Sequence, residues 1–330
     1  MALQGKTVLV TGATGFVGGA LVRRLANDGA DVKALARSPE KGRSLRNVPH
    51  VEIVQGDITD AERMKAVMQG CDIVFHVAAA IGGTFDFQQR ANMDGVRNVM
   101  LAAADAGVKR VVHVSSIAVY GYRASGTVTE ETPLNPGRVA YNRTKAEGER
   151  IVREIGEERR VPYSIVRPGM IYGPRSGAWT LLLFRLARLK PTPFLGDGGG
   201  NPAPIYIDDL IDLMLLMAEH PAAENETFNA VNDPPPTWRE FLGKYSQLAG
   251  HRAWLSLPVW AAKLSAPLAD LVMTLRGEPQ DVPELIPYVT GKRTYSMAKA
   301  RELLGWQPKT SLDEGIRQCA PWLREKGLLS

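Results

Sequence analysis

Three glycines at an even three-residue step, Gly12, Gly15 and Gly18, fall in the run Thr7-Val8-Leu9-Val10-Thr11-Gly12-Ala13-Thr14-Gly15-Phe16-Val17-Gly18. An apolar, strand-like stretch precedes them and a segment of helical periodicity follows. A strand that turns directly into a helix needs a residue tolerant of a tight turn. It then needs room for backbone to approach a ligand, and a helix face thin enough to lie on the strand. Glycine meets each need. The new helix offers free N–H groups and the positive end of its dipole, so a pyrophosphate fits there. The pattern predicts a dinucleotide-binding turn. A glycine-rich loop with no ligand would look the same in isolation, so the rest of the chain has to carry the reading.

The first half alternates short Val- and Ile-rich runs (7–10, 32–35, 52–54, 73–76, 111–114, 163–166) with helical segments (18–28, 61–68, 88–106, 144–157). Strand–helix alternation predicts an α/β fold with a Rossmann-type doubly wound parallel sheet. Its ligands belong at the C-terminal ends of the strands. After Gly173-Pro174 the pattern breaks into a Pro- and Gly-rich stretch, then resumes with a strand at Ile205 and a helix with Asp208 or Asp209 at its N-terminus. Thr237 is placed to cap a helix starting at Trp238. The expected division is residues 1–175, with 203–235 returning to them, as the dinucleotide-binding domain. Residues 176–202 and 236–330 form a smaller, mostly helical substrate lobe.

A net charge of +5, with acidic residues interleaved throughout, is no nucleic-acid footprint. The two cysteines, Cys71 and Cys319, are too far apart in sequence to suggest a disulfide framework, and the five histidines lack ligand spacing, so no metal is expected. The apolar run begins almost at residue 1, which leaves no signal peptide and predicts a cytoplasmic protein. Residues 253–275 are apolar and long, but Lys263, Asp270, Pro258 and Pro267 interrupt them. They are read as an amphipathic helix lining a substrate cavity rather than an integral span; peripheral membrane contact is the alternative.

Tyr141-Asn-Arg-Thr-Lys145 puts a phenol and an ammonium on one helix face. A positive neighbour favours the phenolate, and a tyrosine tuned in that way exchanges a proton with a carbonyl or hydroxyl oxygen. Ser115 and Ser116 follow the 111–114 strand, where a donor to a ligand belongs. The order of glycine turn, strand-end serine and Tyr-x-x-x-Lys resembles the extended short-chain dehydrogenase/reductase family over nearly the full length, with the C-terminal third loosely matched. The even glycine spacing in Thr-Gly-Ala-Thr-Gly-Phe-Val-Gly is that of its loop.

The resemblance implies that Ser116 holds the substrate oxygen, with Ser115 as runner-up. It implies that Tyr141 is the general acid/base and that Lys145 binds the nicotinamide ribose and lowers the tyrosine pKa. It extends the cofactor site to Thr14, Phe16 and Val17 of the turn. Asp57 and Ile58 would lie beside the adenine, although a turn or cap role suits Asp57 equally. Ala78, Ala79 and Ala80 match small residues along the cofactor, and Asn92 a residue near the site that could instead satisfy backbone groups. Pro168, Gly169 and Ile171 lie in a segment that passes the nicotinamide. At the tip of the second strand an acidic residue would select a ribose hydroxyl and an arginine a 2′-phosphate. Arg37 stands there, so NADP is preferred, with NAD the alternative if Arg37 only stacks on adenine.

The leading expectation is an oxidoreductase interconverting a secondary alcohol and a ketone. The apolar 253–275 run suggests a hydrophobic small molecule and the hydroxysteroid-dehydrogenase or dihydroflavonol-reductase-like branch. A nucleotide-sugar epimerase with tightly held NAD is the runner-up. Arg37 speaks against it, as does the lack of arginine in Asn201-Pro-Ala-Pro204. A non-catalytic NADP sensor would have less need of the serine, tyrosine and lysine, all present here. Ile117 and Ala118 after Ser116 leave no acid for a dehydratase. The resemblance also implies a homodimer through helices of the first lobe.

Overall fold

Strands read as unbroken Val/Ile runs are suited to burial on both faces, and the computed structural model, which describes residues 3–275 and 281–329, builds its sheet from them. In chain order come β1 (Thr7–Thr11), α1 (Phe16–Asn27), β2 (Asp31–Ala36), β3 (Val51–Gln55), α2 (Ala61–Met68) and β4 (Ile73–His76). A short helix α3 (Phe85–Gln89) runs through a π-helical turn at Arg90–Asp94 into α4 (Gly95–Ala106), followed by β5 (Arg110–Val114). Next are β6 (Thr127–Val128), the long α5 (Ala140–Arg159), β7 (Tyr163–Pro168), β8 (Met170–Tyr172), α6 (Leu183–Ala187), β9 (Thr192–Leu195), β10 (Pro204–Tyr206) and α7 (Ile207–Glu219). The chain continues through β11 (Glu226–Ala230), α8 (Trp238–Leu248), β12 (Trp254–Leu257), α9 (Val259–Leu275), α10 (Val282–Thr290), β13 (Thr294–Tyr295), α11 (Ala298–Leu304) and α12 (Leu312–Glu325).

The main sheet has the order β11-β7-β5-β4-β1-β2-β3, parallel throughout. Side chains alternate between its faces. Val8, Val10, Val112 and Val166 pack with Leu21 of α1 and Leu213 of α7. Leu9, Val74, Val111 and Ile165 pack with Val96 and Val99 of α4 and Ile151 of α5. Late pieces of chain form parallel pairs of their own, β8 with β10, β9 with β12 and β6 with β13. Of these, the late pairs through β9, β12, β6 and β13 carry no sequence pattern strong enough to expect.

The capping of the late helices differs from expectation at one place. Thr237 caps α8 in a reciprocal box with Glu240. No side chain caps α7, however, because Asp209 turns away and accepts from the amides of Lys309 and Thr310, both at 3.0 Å. It anchors the approach to α12 instead of its own helix.

On the α5 side the C-terminal edge of the sheet is polar. Register pairs Thr11 with His76 and His76 with His113. Ser115 lies two residues beyond His113, and Arg167 two beyond that histidine's β7 partner Ile165, so all five side chains share one face. Thr11 Oγ1 lies 2.7 Å from His76 Nδ1. Glu149 of α5 accepts from Ser115 Oγ at 2.5 Å and from Arg167 at 2.6 and 2.8 Å, with both charged groups almost wholly buried. Arg167 also donates to the hydroxyl of Tyr120 at 2.7 Å, and Tyr120 donates to Asn229 Oδ1 at 2.8 Å, which carries the network across to β11. Charges so far from water persist when paired and hydrogen-bonded on every side.

Two predictions follow from this layer. Glu149→Ala strands a buried guanidinium and should lower the unfolding free energy by about 3–5 kcal/mol in urea titration; a loss near zero would show the pair to be dispensable. His76 and His113 are held neutral, burial being the main cause and the Lys145 ammonium the second; His76 is pushed down to about 3 and His113 well below its usual value. The unfolded chain takes up these protons first, so stability present above pH 6.5 is lost as the pH falls. The slope is about 1.4 kcal/mol per pH unit for each ring. Urea midpoints that stay level from pH 7 to 5 would contradict this.

Candidate active site

The glycine turn joins β1 to α1 as its spacing predicts. Gly12 has φ +69°, and a Cβ there would lie 2.7 Å from the Ala78 nitrogen. A Cβ at Gly18 would lie 2.1 Å from the Gly12 carbonyl oxygen, so helix and turn close on each other only because both lack side chains. Gly15 differs, since the protein supplies one neighbour alone, Gly12 O at 3.3 Å. Nothing within the fold demands glycine at 15; an approaching ligand would. No side chain caps α1 and no acid sits in its first turn, so its leading amides keep their affinity for an anion. Thr14 and Gly15 are exposed there, with Phe16 and Val17 half-buried behind them.

Around this turn stand the other strand ends. Ala78 and Ala79 present small side chains, and Ala80 is clamped by Asn92, which accepts from the Ala80 amide and donates to its carbonyl, both at 2.8 Å. The Asn92 amide also donates to Thr144 Oγ1 at 3.0 Å. Its side chain is therefore spent on shaping the Ala80 loop and holding it to α5. Asn92 sits in the π-helical turn, an irregularity that often marks functional ground.

At the far strand ends, Arg37 is exposed just past β2. Asp57 Oδ1 accepts from the amide and hydroxyl of Thr59, the turn role foreseen for it. Ile58 is buried where a Cβ on Gly95 would meet it at 2.6 Å, so it packs rather than faces outward. Pro168 is buried, while Gly169 and Ile171 are partly open. A Cβ on Gly169 would lie 1.9 Å from the Ala203 oxygen, so backbone contact between β8 and β10 already requires that glycine.

The catalytic candidates converge. Ser116 lies near enough to Tyr141 to act on its phenol, and Ser116 Oγ accepts from the Ala118 amide at 3.2 Å, which starts a short 3-10 turn. Ser115 is buried and committed to Glu149, so of the two serines Ser116 is the one facing the tyrosine. The expected acidification of Tyr141 is not found. Burial raises its pKa, and the neighbouring Ser116 hydroxyl opposes this. Lys145 is itself buried, and its Nζ donates to the Val114 carbonyl at 2.6 Å. Burial lowers its pKa to about 8 against the pull of Glu149. Sharing a helix face brings the two residues to one region without aiming the charge at the phenol.

Residues beyond the expected set complete the site. The rings of Tyr122 and Tyr288 meet at a tilt, centroids 4.8 Å apart, with Tyr141 in their electrostatic reach. Behind them, Arg293 is wholly buried, and among the described residues no carboxylate pairs with it. It donates to Tyr295 Oη at 2.8 Å, to the Tyr122 carbonyl at 3.0 Å, and to the Pro287 and Tyr288 carbonyls. Continuing the four-residue step of Tyr141 and Lys145 reaches Glu149, a signal available in the sequence. The partners Tyr122, Tyr288 and Arg293 lie too far along the chain for any spacing rule.

The segment 253–275 turns its apolar face outward. Ala266 is the only fully buried residue of α9, and most of its large apolar side chains face solvent. Among the described residues no helix is long and apolar enough to cross a membrane, and no group of His, Cys, Asp and Glu could hold a metal ion.

Known proteins share this arrangement. Residues 8–230 match the model of the NAD dependent epimerase/dehydratase family. A UDP-glucose 4-epimerase of Mycolicibacterium smegmatis is 30% identical over 338 residues, covering 96% of this chain and 98% of that one. A ketoreductase of Stigmatella aurantiaca acting on a farnesylated dihydroquinoline oxide is 30% identical over 324 residues, covering 94% and 96%. The solved epimerase Mth375 of Methanothermobacter thermautotrophicus superposes with a TM-score of 0.79 at 26% identity, over 99% of this chain and 94% of that one. With the glycine turn, the seven-stranded parallel sheet and the serine, tyrosine and lysine in family order, this chain belongs to the NAD-dependent epimerase/dehydratase family of extended short-chain dehydrogenases/reductases.

Proposed function

We propose that the protein is a nicotinamide-dependent oxidoreductase that interconverts a secondary alcohol and a ketone on a hydrophobic small molecule. We further propose that it works in the cytoplasm as a homodimer. The supporting observation is that Ser116, at the C-terminal end of β5, and Tyr141 of α5 come together on the sheet edge that also carries the glycine turn. An incoming carbonyl oxygen would accept from both hydroxyls. Because burial holds the Tyr141 phenol protonated well past neutrality, the side chain is ready as an acid for ketone reduction. In the reverse direction it must first lose that proton, so alcohol oxidation gains with rising pH.

The residues present fit a dinucleotide: uncapped amides at the start of α1, an open face over Gly15, small side chains at Ala78 and Ala79, and exposed Arg37. When bound, the nicotinamide supplies or takes up the hydride. Lys145, with its pKa near 8, would hold the ribose as a cation below that pH. Asn92 maintains the Ala80 loop against which the cofactor lies. Arg37 would pair with a 2′-phosphate, favouring NADP.

The substrate side is aromatic, with Tyr122 and Tyr288 partly exposed. Arg293, the buried cation behind them, spends its donors on a phenol and backbone carbonyls, leaving it no hold on a sugar diphosphate. The name of the mycobacterial relative favours a second reading, epimerisation of a nucleotide sugar.

Absorbance of NADPH with a panel of hydrophobic ketones tests the proposal. Tyr141→Phe should lower kcat by about 10²–10⁴-fold with cofactor affinity nearly intact, and the oxidation rate of the parent should climb from pH 7 toward 10. Nucleotide-sugar interconversion without net change in the cofactor would replace this reading with the epimerase. Arg37→Ala should lower the NADPH-to-NADH preference by roughly tenfold, the loss of a charge-assisted pair worth about 1.5–3 kcal/mol; an unchanged ratio removes Arg37 as the determinant.

A further inference from the structure

The face that α9 turns to solvent is its apolar one. Steps of four, four, three and four residues set Trp260, Leu264, Leu268, Leu271 and Leu275 along one side of the helix. Trp260 is 67% exposed, Leu264 74%, Leu268 66% and Leu275 78%. The inward side carries Val259, Ala262, Ala266 and Met273. In β12, just before the helix, Leu255 and Leu257 share one exposed face, while Trp254 on the other packs against Phe194 and under the Arg239 guanidinium. Monomeric proteins seldom leave so many large apolar side chains together in water.

Cations rim this surface. Arg185, Arg188 and Lys190 lie on α6 and just after it, Arg252 precedes β12, and Lys263 lies on α9. The Thr192 amide donates to the Ala253 carbonyl at 2.9 Å and His251 Nε2 lies 2.7 Å from the Ala187 carbonyl, so the end of α6 abuts the start of β12. Among the described residues none of the five cations has an ion-pair partner. The acid on α9, Asp270, is engaged by the Val282 amide at 3.0 Å.

We propose that this face docks on an anionic lipid bilayer. Trp260 and the leucines of α9 enter the boundary between headgroups and acyl chains, and the five cations meet lipid phosphates. The helix lies in the plane of the surface, since Lys263, Asp270 and Pro267 oppose a span. The charge distribution selects lipid over a second copy of the chain, because a two-fold contact through this face would crowd like cations around one apolar seam. The site lies outside the catalytic machinery, so the inference holds whether the enzyme reduces ketones or epimerises sugars.

Flotation of the full chain with vesicles of phosphatidylcholine, with and without phosphatidylglycerol, tests the proposal. Binding is expected on the anionic vesicles, weakened by high salt. Leu264→Gln with Leu268→Gln should lower the partition coefficient by roughly tenfold or more. Arg188→Gln, Lys190→Gln and Arg252→Gln together should lower it by roughly 100-fold on anionic vesicles alone. Unchanged thermal midpoints show that these variants fold. No partition onto either vesicle overturns the proposal, as does partition indifferent to lipid charge. A dimer in size-exclusion chromatography that the leucine variant splits, with no vesicle binding, assigns the face to a second copy instead.

Discussion

Much of the site depends on one buried ion pair, Glu149 with Arg167, and on the Ser115 hydroxyl that joins it. Glu149 belongs to α5, Arg167 to β7 and Ser115 to the end of β5. The pair therefore fixes the helix that carries Tyr141 and Lys145 against the strand end that carries Ser116. Removing either charge would leave the other buried without its main partner. That penalty makes the geometry stiff, and stiffness is what a hydroxyl pair at the mouth of a cofactor groove requires.

The same layer explains the proton affinities. Lys145 lies in dry surroundings near two buried imidazoles, and its ammonium is partly compensated by Glu149 and by the Val114 carbonyl. Its charge is thereby turned toward the sheet. Tyr141 answers to its own burial and to Ser116. The simple picture of a cation acidifying a phenol on the same helix face omits direction: at equal separation along a helix, one side chain can point to solvent-facing ligand space and its neighbour into the core.

Much of the fold was legible in the chain. The early strands could be read from Val/Ile runs because burial on both faces of the central strands β1, β4 and β5 keeps most of their residues apolar. The glycine turn was legible because steric exclusion at Gly12 and Gly18 is local, set by contacts within one turn. Ser116, Tyr141 and Lys145 were legible by family order. The division of labour between Ser115 and Ser116, the turn-forming use of Asp57, the inward packing of Ile58 and the Asp209 anchor were not, since each depends on a partner far away in sequence. The 253–275 segment misled for a related reason. Its apolar periodicity marks a face, and nothing in the period says whether protein or solvent lies opposite.

By itself the sequence determined the sheet and the glycine turn and nominated Ser116, Tyr141 and Lys145, because these follow from short-range sterics and from residue chemistry. Only the tertiary structure decided which way the lysine points, which serine is free, which arginines are already spent and which apolar helix face is left uncovered. Those outcomes turn on desolvation and on competition among partners from distant parts of the chain, and such competition exists only once the elements have packed.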